Sequence, residues 1–430
     1  MSAKAPEPIS ARGAATIGAA CLCLGLSTMA LARVGIPYDS PGVGLPFTIH
    51  PGTWALLLAF GLVFAGPGFG ARLAEAKSRY PGAFLFTPVL VLMVLFAASV
   101  QKLPVTALID TFFSGVVFLV LHGELNARER SVLRMAIHAF MALNAALGIF
   151  EFLSGWRLTP YVVAGAPIVN DPRSTALMGH PLLNAGTTGG YVIALALGGD
   201  PREPPTRRMA MIGLQLAAMV AFGGRTAIVL AGAALGVQAL RGALDVLSGR
   251  RFPPAAALGA LVLAPALLLG VALAVSKGLL SSFLERFLDD KGSTDARFAI
   301  YDLFGHFSWD QLLLGPDQAR LAELQRTLGI EYGIENSWIG LMFQYGGLMA
   351  GFFVLAYLAL LGDFARRMRP GAWAMLLYFL VLSSSAASLS VKSFAFTQFA
   401  IVALGVFGAA RSPSAVRAPV RARALHPAMA

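Results

Sequence analysis

Apolar stretches of about 18–20 residues recur along the whole chain, and each is long enough to cross about 30 Å of hydrocarbon as a helix. Twelve or so are recognisable, over residues 14–31, 53–70, 83–100, 105–121, 135–153, 185–198, 209–222, 226–240, 255–275, 337–361, 372–388 and 395–409. The chain has 430 residues, is 57% hydrophobic and only 13% charged, and its mean hydropathy is +0.70. Soluble domains carry roughly 25% charged residues. The expected fold is therefore all-α: a polytopic integral membrane protein of about twelve transmembrane helices.

A net charge of +11 would suit a nucleic-acid binder, but its distribution argues against one. Basic residues fall in alternate loops: Arg72, Lys77 and Arg79; Arg128, Arg130 and Arg134; Arg202, Arg207 and Arg208; Arg241, Arg250 and Arg251; Arg366, Arg367 and Arg369. Arg411, Arg417, Arg421 and Arg423 continue the pattern in the tail. Such a bias predicts that these loops and both termini are cytoplasmic. Anionic headgroups are the ordinary partners of such arginines, and no folded basic module is left for nucleic acid.

The first apolar run follows Lys4 and Arg12 and ends near Ala30-Leu31-Ala32, which resembles a signal-peptide cleavage site. Its length, and an even number of spans with both basic ends inside, favour an uncleaved anchor. Cys21 and Cys23 lie two apart on that run and face different sides, so they read as small hydrophobes and not as a disulfide or metal pair. Residues 1–410 read as one integral domain and 411–430 as a basic, disordered tail. No period of 20–50 residues suggests a repeat fold. The halves show no internal similarity, which counts against a repeat-built transporter.

One polar segment, 276–336, interrupts the oily pattern. Ten of the chain's 22 acidic residues lie between Lys277 and Asn336. On the predicted topology it is the largest outer loop, and it should fold into helices. Residues 279–290 alternate as an amphipathic interfacial helix, with Asp289 and Asp290 on its solvated face. Ser293-Thr294-Asp295 signals an N-cap for a helix to about Phe307, and Asp317 caps another ending near Gly329.

Several polar residues stand out on the outer side. Arg225, after Gly223-Gly224, separates two apolar runs. An arginine at membrane depth must face a polar cavity or an anion, unless it snorkels to the interface. Arg297 pairs with Asp295 or Glu285, or serves an anion. Arg173 and His180 lie in a loop shaped by Pro172, Gly179 and Pro181; His180 is a structural histidine or a proton-transfer and sugar-binding group. Glu335-Asn336 opens the span at 337. Asn336 is a good helix cap and Glu335 suits a helix N-terminus; equally, a partly desolvated Glu335 is a general base. Asp110, Asn144 and Glu151 are further polar residues in or near spans, and Glu151 is expected to line the outer cavity. No phosphate loop, metalloprotease motif, nucleophile elbow or metal cluster is present.

Together these features resemble the O-antigen ligase and Wzy-type polysaccharide polymerase superfamily, membrane glycosyltransferases of the GT-C type. Gly224-Arg225-Thr226-Ala227 is similar to that family's arginine motif. Arg297 with Tyr301 resembles its loop arginine motif. Gly333-Ile334-Glu335-Asn336-Ser337-Trp338 with Gln344-Tyr345-Gly346 resembles the segment that opens the span after the loop. Residues 173–184 resemble a stretch common in exopolysaccharide polymerases. Ligases of the family carry histidine where this chain has Glu335, which favours a polymerase-like member.

The resemblance implies a bacterial inner-membrane enzyme whose site faces the periplasm. Its donor and acceptor are undecaprenyl-diphosphate-linked glycans, and no metal or cofactor is implied. Glu335, Arg225 and Arg297 would be catalytic; Arg173, His180, Asn336, Tyr301 and Glu151 would bind substrate. A chain-length regulator and a flippase are the implied protein partners. Transfer to a different acceptor by a ligase is one alternative. A flippase for lipid-linked sugars is the other, and it would place charge deep in several spans.

Overall fold

A computed structural model of the protein describes residues 8–38, 47–163, 166–168, 171–249, 293–330 and 333–408. The described chain is helical apart from a two-residue antiparallel pairing of β1 (Val162–Val163) with β2 (Ala166–Pro167). Five helices are long and apolar enough to cross a membrane: α5 (Pro81–Gln101), α6 (Thr106–Glu124), α7 (Ala127–Ser154), α10 (Arg225–Leu247) and α15 (Gly347–Arg367). A sixth crossing arises if α3 (Pro51–Phe64) and α4 (Phe69–Arg79), bent by 115°, are one span. The polar face of α4 carries Arg72, Glu75 and Arg79, which suits a helix lying along the end of the bundle. The expected spans at 14–31, 185–198, 209–222, 372–388 and 395–409 become the shorter or more polar helices α1 (Ala11–Gly25), α8 (Pro181–Ala196), α9 (Pro205–Phe222), α16 (Ala372–Ser383) and α17 (Ala395–Phe407). After α1 the chain breaks at Ser27 before the short α2 (Thr28–Arg33). The span at 255–275 and the amphipathic stretch at 279–290 lie outside the described residues.

The bundle has two chemically distinct ends. At one, Ser10 donates to Glu129, Arg79 pairs with Glu124, Arg134 with Asp200, and Arg367 lies over Tyr80. Among the described residues, the basic loops around Arg79, Arg130, Arg202 and Arg367 therefore gather at a single end. The other end carries the breaks after α1 and α5, the 155–180 loop and the segment after residue 292.

α17 is the bundle's centre: all thirteen of its residues are buried. At 1.5 Å per residue it spans about 20 Å, and α16 is shorter still, against roughly 30 Å of hydrocarbon. Both stop at 384–394, a serine-rich segment containing Lys392. This segment is the floor on which the candidate site rests.

The single span expected over 337–361 is broken. Gly346, at φ 84°, divides α14 (Ser337–Tyr345) from α15. A Cβ there would meet the Gly315 amide and Leu313 carbonyl at 2.6 Å, so only glycine fits the turn. Trp338, in the first turn of α14, packs against Tyr357, ten residues and about 15 Å along α15. α14 therefore starts deep beside the floor and runs outward before α15 returns.

Between α10 and α14, the loop helices α11 (Ser293–Asp302), α12 (Trp309–Leu314) and α13 (Gln318–Thr327) build a small core of their own. Ile300, Leu303, Phe307, Leu312, Leu321, Ile330 and Ile334 close around Phe343 of α14. Asp317 caps α13 by accepting from the Arg320 amide at 2.8 Å, as its sequence signal predicts. The described part of the loop is thus a folded unit anchored on α14.

Candidate functional site

The site is organised by one buried carboxylate. Glu151, at the end of α7 and 2% exposed, accepts from the Thr175 and Ala176 amides at 2.9 Å each, and from the Leu158 amide at 2.9 Å. Asn144, two turns earlier on α7, accepts from the Leu177 amide at 3.0 Å and donates to Asn184 at 2.9 Å. Asn184 in turn donates to the carbonyls of Thr175 and His180, at 2.6 and 3.0 Å. These groups hold 174–180 so firmly that Ala176 adopts φ 42°, an uncommon conformation for a residue with a Cβ. Glu151 was expected to line the cavity; its oxygens are instead taken by backbone amides, and it shapes the loop.

The clamped loop presents Arg173. Its guanidinium donates to Asp171 from Nε at 2.8 Å and from Nη2 at 2.5 Å. It lies 5.4 Å from the centre of the Tyr161 ring, and Tyr161 meets His180 edge to face at 5.5 Å. Burial, with the Arg173 charge beside it, lowers the His180 pKa to about 4, so the ring is neutral at neutral pH. Burial also raises the Tyr161 pKa, opposed by Arg173 and reinforced by Asp171 and Glu335. Glu335 therefore stands within electrostatic reach of Tyr161, across more than 170 residues of sequence.

Glu335 is exposed and is fixed from both sides. Ile334 is buried in the loop core before it. Asn336 after it caps α14, accepting from the Trp338 and Ile339 amides at 3.0 and 3.1 Å. Ser337 then joins the floor, donating to the Ala386 carbonyl at 2.7 Å and accepting from the Leu389 amide at 2.9 Å. The Asn336 side-chain oxygen thus caps the helix, as the sequence signal predicts.

Arg225 is the first residue of α10 and is half-buried. Its backbone neighbourhood adjoins Arg173, because the Ser174 amide donates to the Ala221 carbonyl at 3.0 Å. A Cβ on Gly224 would overlap Ala185 of α8, so the glycine permits this close approach. Arg297 lies on α11, one turn before Tyr301; its side chain is outside the described residues. Tyr301 is exposed, on the side of α11 away from buried Ile300 and Leu303.

The segments carrying Arg173, His180, Glu335 and Arg225 thus converge at the loop end. Tyr161, which links them, had no sequence signal: an aromatic in an irregular loop has no periodicity to mark it. A second polar cluster lies at the same end. Asp110, fully buried in a π-turn of α6, accepts from Tyr38 and Thr53 at 2.7 Å each. Lys392 of the floor covers the Tyr38 ring and donates to its carbonyl at 2.7 Å. Among the described residues a cavity of about 280 Å³ lies at the basic end beside Glu129, and a larger, more open one of about 520 Å³ lies at the loop end between residues 100–103 and 315–319. Among those residues, too, His138, Asp200 and Glu203 offer metal-ligand spacing, with ligand atoms within 4.8 Å of one another, also at the basic end.

No protein-family model, no curated protein and no solved structure matches the chain. Its functional reading rests on the geometry above and on the motifs.

Proposed function

We propose that the protein is a membrane glycosyltransferase that extends a polyprenyl-diphosphate-linked glycan, as a polymerase of oligosaccharide repeat units. In this reading the chain crosses the inner membrane about twelve times, with the basic end cytoplasmic and the loop end periplasmic. The observation that carries the proposal is the Arg173–Tyr161–His180 group on the clamped loop, with Glu335 within electrostatic range of Tyr161. An exposed carboxylate and an Asp171-paired arginine lie at the end where a lipid-linked diphosphate would enter.

Glu335 takes the proton of the acceptor hydroxyl as its oxygen attacks the anomeric carbon of the donor. The bond from that carbon to the phosphate oxygen breaks, and the lipid diphosphate leaves with the electron pair. Arg225 and Arg297 compensate the charge that develops on it, since guanidinium binds phosphate in a forked geometry and stays protonated. Attack opposite the leaving group inverts the configuration. Tyr161 and His180, neutral at working pH, offer hydrogen bonds to sugar hydroxyls.

The test is extension of a defined lipid-diphosphate repeat unit in proteoliposomes. Longer glycan on the lipid is expected. Glu335→Ala should slow extension by at least about 100-fold, the usual contribution of a general base, and Arg225→Ala by a similar factor. Full activity of well-expressed Glu335→Ala would remove the base assignment. Transfer to a different acceptor would make the protein a ligase, and translocation without a new glycosidic bond would make it a flippase.

A further inference from the structure

Around the turn between α8 and α9, at the basic end, arginines from separate elements crowd too few carboxylates. Arg134 of α7 reaches Asp200 at 3.0 Å. Arg208 of α9 donates to the Asp200 carbonyl at 2.5 Å, and its Nε is buried without a partner among the described residues. Arg369, between α15 and α16, donates to the Gly199 and Val406 carbonyls. Arg202 is exposed beside them, and Arg207 pairs with Glu203 at 3.3 Å.

Asp200 and Glu203 are the carboxylates of this group, so five guanidinium groups leave a surplus of three positive charges. Burial holds Arg369 below the usual arginine range; Asp200 opposes this, while Arg134, Arg208 and Arg202 add repulsion. The same surplus argues against a metal at His138, Asp200 and Glu203. A divalent cation there would add to a field already unbalanced, and both carboxylates already pair with arginines.

We propose that this cluster binds a phosphate group, carried by a lipid headgroup or free in solution. A phosphate accepts several charge-assisted hydrogen bonds at once, and the guanidinium fork matches its oxygens. The arginines are not scattered along an exposed face. Arg208 and Arg369 turn inward onto the backbone of 199–200 and 406, and Arg134 onto the Asp200 carboxylate, which fixes their positions, while Arg202 and Arg207 are exposed on the outer side. Basic pockets between helices at a cytoplasmic face take lipid phosphates by this chemistry. The proposal is independent of the glycosyltransferase reading, because it concerns the opposite end of the bundle.

The experiment uses the full chain, stripped of lipid in an uncharged detergent, at constant ionic strength held with chloride. Inorganic phosphate and a short-chain phosphatidylglycerol are titrated separately, with phosphatidylcholine as control, and thermal unfolding is followed. Saturable stabilisation by phosphate supports a soluble ligand; stabilisation by phosphatidylglycerol and not phosphatidylcholine supports a lipid. Arg369→Gln should weaken either by about 10-fold, the scale of one charge-assisted hydrogen bond. Arg369 also ties two carbonyls, so Arg202→Gln, at an exposed position, provides the variant that keeps the fold and should weaken binding in the same direction. Arg241→Gln, on the exposed side of α10, should change nothing. No saturable response to either ligand, or equal affinity in wild type, Arg202→Gln and Arg369→Gln, would overturn the proposal.

Discussion

Glu151 shows how one side chain serves several amides. Three backbone N–H groups point at its two oxygens, at 2.9 Å each. Glu151→Ala leaves those donors buried and unpaired, and should cost about 3 kcal/mol, read as a lower unfolding temperature in detergent. Glu151→Gln keeps one carbonyl oxygen and should recover part of the loss. Gly224→Ala forces a methyl group into Ala185. An overpacked contact of that kind costs about 2 kcal/mol and would shift Arg225, so activity should fall more than stability.

His180 supplies a pH dependence with a defined sign. Its pKa falls from 6.5 to about 4 on folding, chiefly through burial. Between those values the unfolded chain binds a proton that the folded chain does not. The contribution of His180 is therefore complete above about pH 6.5 and is lost as pH falls toward 4. His180→Asn should flatten the decline in unfolding temperature over that interval relative to wild type.

Among elements, α14 carries the most consequence for the site. Its nine residues follow a capping asparagine and end at Gly346, whose positive φ favours glycine. Asn336→Ala should lower stability by about 1 kcal/mol; Asn336→Asp, which keeps the acceptor, should restore it. If α14 positions Glu335, extension activity in Asn336→Ala falls with Glu335 chemically intact. The sequence announced the caps at Asp317 and Asn336 because capping is local: the residue that accepts lies two or three positions from the amides it serves. It did not announce the break at Gly346, since an apolar run with one glycine reads as a continuous span. The break depends on the backbone of 313–315, brought against it from the loop.

At the scale of the molecule, the two ends differ in charge and in length of helix. Among the described residues, the basic loops around Arg79, Arg130, Arg202 and Arg367 collect at one end, and the loop helices stand at the other. With the native cysteines replaced by serine, a cysteine at exposed Trp309 and one at Arg366 should react with a membrane-impermeant maleimide from opposite faces of sealed vesicles. Labelling of both from one face would contradict the proposed topology. The short central helices α16 and α17 give the bundle its sunken, serine-rich floor, and α14 rests on it.

The sequence by itself determined that the chain is helical and oily, that its basic loops share an end, and that residues 276–336 stand apart. Those properties are sums over local composition and periodicity, which survive without any knowledge of contacts. Arg173, His180, Arg225 and Glu335 were also marked by type, because charged or titratable groups are costly next to apolar spans. Tertiary structure alone decided which of them meet. Tyr161 joins Arg173 and His180, within electrostatic range of Glu335, only because Glu151 and the two asparagines hold 174–180 against α7 and α8. It also decided that Glu151 shapes the loop, and that Arg134, Arg208 and Arg369 converge around Asp200. Each depends on hydrogen bonds between residues far apart in sequence, and no local pattern encodes such a pairing.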